Sequence, residues 1–246
     1  MQTDSAFSLS HARLHARTAG LLYLYIIVAG VLGESLVRGG VIDFSAPLQT
    51  LQAIEASQIV WRAHIFFEIL VLCCDVGIAV LLYVLLKPAG HVLSLAAAFF
   101  RLAMIGVSGV KTLFLLVPLL FIGDGSWFAG FNQEQAAGVS VLFLRLHALT
   151  FSISLIFFGF CCVAKGWLIL RAIYLPSFLG AFLAIAGGCY LVNSAVNILM
   201  PDYSSFLFPW ILLPCLIAEL ALALWLLIRG IDAEKLAAQP GQAKPG

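Results

Sequence analysis

The chain has 246 residues, of which 63% are hydrophobic and only 10% charged, with a net charge of +1 and a mean hydropathy of +1.08. A soluble domain of this length needs far more charge to cover its surface, so composition points to a polytopic membrane protein. The near-neutral balance, with no basic run, RNP-like motif or zinc-finger spacing, excludes nucleic acid as an expected partner.

In chain order, residues 1–16 read as a polar amino-terminal tail. The first apolar run is followed by Glu34–Arg38 instead of a small-residue cleavage site, so it reads as a retained span over 17–38 and not as a signal peptide. Five more spans follow at 59–87, 91–122, 136–168, 175–200 and 206–230. Lys87-Pro88-Ala89-Gly90 stops the second and Gly123-Asp124-Gly125-Ser126 the third. Pro176 stands where a helix start tolerates it, and Pro201-Asp202 closes the fifth. Residues 231–246 read as a flexible tail. The expected fold is all-α, one six-helix transmembrane domain over 17–230.

Lysine and arginine fall at the amino tail, at Lys87, in the fourth-to-fifth connection with Lys165 and Arg171, and at the carboxyl end. The other three loops carry Asp43, Glu55, Asp124, Glu134 and Asp202. The positive-inside rule then places both termini in the cytoplasm. The six cysteines lie within apolar runs without zinc or disulfide spacing, and read as small buried hydrophobes. Gly180, Gly187 and Gly188 would let the fifth span approach a neighbour closely.

The informative anomaly is ionisable residues inside spans. In "WRAHIFFEILVLCCD" (61–75), His64, Glu68 and Asp75 share one helix face. With direction set, depth follows at about 1.5 Å per residue. Glu34, Glu68, Lys111, Arg145 and His147 fall in the outer half, Asp75 and Glu219 near the middle, and Arg101 in the inner half. Tyr190, Asn193, Ser194 and Asn197 form a further stripe. An ion at the centre of a span costs roughly 2.5–3.5 kcal/mol on insertion scales, against about 0.3–0.6 returned per large apolar residue. These groups are therefore expected to pair inside the bundle. Setting aside the edge residues Arg38 and Arg62, the acids Glu34, Glu68, Asp75 and Glu219 face the bases Arg101, Lys111 and Arg145, with His64 and His147 in reserve.

"GESLVR" (33–38), "YVLLKP" (83–88), "AAAFFRL" (96–102) and the long series from Leu142 to Ser194 resemble a bacterial membrane family catalogued as domain of unknown function 4386. The resemblance runs from about residue 14 to residue 230. It implies a multi-pass protein of the bacterial inner membrane, with no established activity, cofactor or catalytic residue to carry over. Arg62, Arg101, Arg145, His147, Arg171 and Tyr190 fall within its motifs, while the "VWRAH" context of His64 departs from them.

The expectation is one charged cavity in the outer half, lined by Glu34, Glu68, Asp75, Arg101, Lys111, Arg145, His147, Tyr190, Asn193, Asn197 and Glu219. It would bind or transport a small polar or amphiphilic ligand, with membrane lipids as partners and no cofactor. One alternative is an intramembrane enzyme doing acid/base chemistry on a lipid or isoprenoid-like substrate. Another is a purely structural ion-pair network. His64, Glu68 and His147 are weak candidates for a metal, and the two histidines for haem.

Overall fold

The computed structural model describes residues 2–123 and 130–239, the side chains of 2–10 and of Ser205 excepted. Ser126 and the tail beyond 239 lie outside the described residues. Among those residues the chain is helical, without a strand. Six segments are long and apolar enough to cross a membrane: His11–Val41, Gln58–Ala89, His91–Phe121, Gln133–Arg171, Ser177–Leu199 and Trp210–Ile228.

The helices are α1 (Gln2–Leu32), the short α2 (Pro47–Ala56), α3 (Gln58–Leu86), α4 (His91–Phe114), α5 (Gln133–Arg171), α6 (Ser177–Leu199), α7 (Leu213–Ile228) and the short α8 (Ala233–Ala237). Brief 3₁₀ and helical turns link some of them. The six long helices close into a ring: α1 packs on α3, α3 on α4, α4 on α5, α5 on α6, α6 on α7, and α7 returns to α1. The contact of α1 with α8 puts both termini at one end of this ring, here called the terminal end; the opposite end is distal.

The first helix extends through the segment expected as a polar tail. The carboxyl segment also departs from the expected flexible tail. Ile231, Ala233 and Gln239 are buried, and the Gln239 side chain accepts from Ile173 N–H at 3.0 Å while donating to Arg171 O at 3.3 Å. That glutamine thereby satisfies a carbonyl at the end of α5 that no intrahelical donor can reach.

At 39 residues, α5 is about 58 Å long, nearly twice the thickness of a bilayer core. It starts with a capping box between Asn132 and Gln135. Its first turns, through Ala136 and Ala137, pack on Leu51 of α2, forming a small cap at the distal end.

At the α5–α6 seam the two backbones come into direct contact. A Cβ on Gly166 would meet Gly180 O at 2.7 Å, and one on Gly180 would meet Gly166 O at 2.6 Å; Gly159 and Gly187 face each other in the same way. Small residues at such a seam let two backbones touch where no hydrophobic effect separates protein from lipid. Gly180 and Gly187 thus act as their sequence context suggested, whereas Gly188 faces open space. Gly166→Leu is expected to force the helices apart and lower stability by about 1–3 kcal/mol, read as a lower midpoint in a denaturing-detergent titration; Gly188→Leu should leave it unchanged.

Candidate functional site

Two polar networks lie inside the ring. The distal one begins where α1 ends. Over Gly33–Arg38 the helix widens into a π-helical turn, a rare local form that recurs at functional sites. Gly33 is needed there, because a Cβ would stand 2.7 Å from Cε1 of His64. The turn brings Arg38 inward. Its guanidinium bonds Glu34, reaches Glu68 Oε1 at 3.4 Å and donates to His147 Nε2 at 3.3 Å. From α4, Lys111 Nζ donates to the other oxygen of Glu68 at 2.8 Å and sits 5.0 Å above the Phe151 ring. Four helices therefore supply two acids, two bases and two imidazoles, which balances the formal charge. The side chain of Lys111 is 6% exposed and that of Glu68 12%, but that of Glu34 is 59% exposed. Only one member of the network meets its surroundings.

The second network lies about 10 Å nearer the terminal end, since Asp75 follows Glu68 by seven residues on α3. Arg101 donates through Nε to Asp75 Oδ1 at 2.8 Å and again through Nη2. Its guanidinium is held between the rings of Tyr23 and Phe158, at 5.0 and 5.3 Å. Tyr190 donates its hydroxyl proton to Glu219. Lys165 is buried at the same level, 6.0 Å from the Phe158 ring.

The residues expected around one shared cavity divide between the two networks: Glu34, Glu68, Lys111 and His147 gather with Arg38, while Asp75 meets Arg101 and Tyr190 meets Glu219. Arg145 leaves both of them. It turns outward over the Phe44 ring, 4.9 Å away, and with the loop Gly39–Ser45 walls an open cleft of about 660 Å³ at the distal end. Asn197 bonds Ser152 at 3.3 Å, and Asn193 is buried on the same helix without joining either ion pair. In the cleft loop, Ser45 donates to Asp43 Oδ1 from its hydroxyl at 2.6 Å and from its backbone N–H at 2.8 Å. These bonds hold the Asp43 carboxyl below the usual carboxylate range, so the cleft presents both a fixed anion and the Arg145 cation.

The donor set argues against a metal. No group of three or more His, Cys, Asp and Glu side chains among the described residues could hold one. His64, Glu68 and His147 do come together, but Arg38 and Lys111 occupy the positions a cation would take.

Three participants escaped the sequence reading. Arg38, an edge residue by position whose i, i+4 spacing suits a pair with Glu34, is carried by the π turn into the network as well. Lys165 was assigned to a connection, yet α5 continues six residues past it. Tyr23 is fully buried against Arg101.

Comparison with known proteins gives one match. The family described as Domain of unknown function (DUF4386) covers residues 18–230, so the chain belongs to that family. No curated protein and no solved structure matches it.

Proposed function

We propose that this member of the DUF4386 family is an inner-membrane protein, with both termini in the cytoplasm, that binds or transports a small amphiphile through its distal cleft. The orientation rests on the distribution of lysine and arginine, which survives the loss of Lys165 from the loop count. The observation that carries the reading is Arg145, a guanidinium without an ion-pair partner among the described residues, facing a cleft that also holds ionised Asp43. Paired charges would explain packing alone. An unpaired one beside open space favours a ligand.

Charges of both signs fit a zwitterionic head group, with a phosphate on Arg145 and an ammonium on Asp43. The exposed Leu36 and Phe44 nearby suit acyl chains. The enzymatic alternative loses two of its acids, since Glu68 and Asp75 are both engaged with cations.

The test is native mass spectrometry of the protein in micelles supplied with equal amounts of phosphatidylethanolamine and phosphatidylglycerol. Retention of the zwitterionic lipid is expected, falling roughly tenfold in Arg145→Ala, as loss of one charged hydrogen bond implies. Equal retention in wild type and variant would overturn the reading.

A further inference from the structure

Glu219 stands apart from the other buried carboxylates. Glu68 meets Lys111 and Arg38, and Asp75 meets Arg101. Glu219 makes no ion pair among the described residues, and the Tyr190 hydroxyl donates to it. Its residue is 7% exposed. Burying an unpaired carboxylate is costly, and a carboxyl group so placed exchanges its charge for a proton most readily.

The groups around it are of the kind that would serve such an exchange. Tyr23 of α1, Arg101 of α4, Lys165 and Cys162 of α5 and Tyr190 of α6 all lie within electrostatic reach, with Cys215 on its own helix. Asp75 of α3 enters through Arg101. Three of these present buried donors without a partner: the Tyr23 hydroxyl, Arg101 Nη1 and Lys165 Nζ. Buried polar groups are nearly always satisfied by protein or by ordered water, and three orphaned donors around one carboxyl mark a place that water enters.

We propose that Glu219 is a membrane-embedded proton-binding site, distinct from the distal cleft. One proton adds to one carboxylate oxygen. Asp75, Glu219, Arg101 and Lys165 together carry no net charge before that step and one positive charge after it. The proton adds to the oxygen that Tyr190 does not bond, so the Tyr190 hydroxyl goes on donating to Oε1. On the side toward the terminal end, Lys165 lies with Tyr83, Leu86 and Ser94, residues close to the 87–90 turn. Beyond Tyr190 in the distal direction, the Ser194 hydroxyl is buried and also unpartnered. The proposal does not depend on the reading of the cleft: a protein that binds no lipid there would still carry this site.

The experiment is infrared difference spectroscopy of the full chain reconstituted in lipid and titrated with pH. Wild type is expected to gain the high-frequency carbonyl stretch of a water-shielded carboxyl group as pH falls. Glu219→Gln should lose that band, Glu68→Gln should keep it, and Tyr190→Phe and Lys165→Met should displace its midpoint. A wild-type protein without the band, or a band that persists in Glu219→Gln, overturns the assignment. Should Glu219→Gln fail to fold, an unmoved midpoint in both Tyr190→Phe and Lys165→Met overturns it equally.

Discussion

Arg101→Met is expected to lower the unfolding free energy by about 3–5 kcal/mol, the usual cost of removing one partner from a buried ion pair. Asp75 is 4% exposed and takes both of its hydrogen bonds from Arg101, so the variant strands a carboxylate in the bundle's interior. The pair itself contributes far less than this figure. Taking two ions out of water costs nearly as much as their attraction returns, so Asp75→Leu/Arg101→Met should recover most of the loss. Equilibrium unfolding in mixed micelles, read on wild type, both single variants and the double, closes the cycle. A double variant as unstable as either single one would show that the guanidinium between Tyr23 and Phe158 matters more than its charge partner.

Glu68→Gln should be nearly as damaging, at about 3 kcal/mol, and for a different reason. Glu68 is the hub of the distal network, accepting from Lys111 on one oxygen and Arg38 on the other. A glutamine keeps the shape but removes the charge. Arg38 retains Glu34, but Lys111 is left with no acid and 5% exposure. Adding Lys111→Met should therefore restore most of the stability in the same unfolding assay. Arg145→Ala, which breaks no pair, should change stability by no more than about 0.5 kcal/mol. That contrast separates the groups that hold the bundle from the one offered to a ligand.

The six spans and the interior location of Glu68, Asp75, Arg101 and Lys111 follow from hydropathy and the cost of bare charge in lipid, which sequence reports directly. How those charges associate does not follow. A helix wheel assumes 3.6 residues per turn, and the π turn at Gly33–Arg38 breaks that assumption just where Arg38 changes face. A count of basic residues weighs a lysine by its place near a span's end and not by its exposure, so Lys165 reads with the connection although it is buried inside a 39-residue helix. Arg145 and His147 lie on one helix two residues apart and therefore point in different directions, one to the cleft and one to the network. Depth alone had grouped them. The expected grouping divides for the same reason: similar depth around a ring does not decide which of the groups pair with one another.

The Gln239 side chain bridging to Arg171 and Ile173 has a practical bearing on how the protein is handled. A fluorescent reporter spliced directly behind Ile231 would discard this bolt and leave the hairpin joining α5 and α6 with an exposed carbonyl. The same reporter attached after residue 239 keeps the hairpin fastened, so fusion boundaries chosen by hydropathy alone would sacrifice a latch belonging to the folded body.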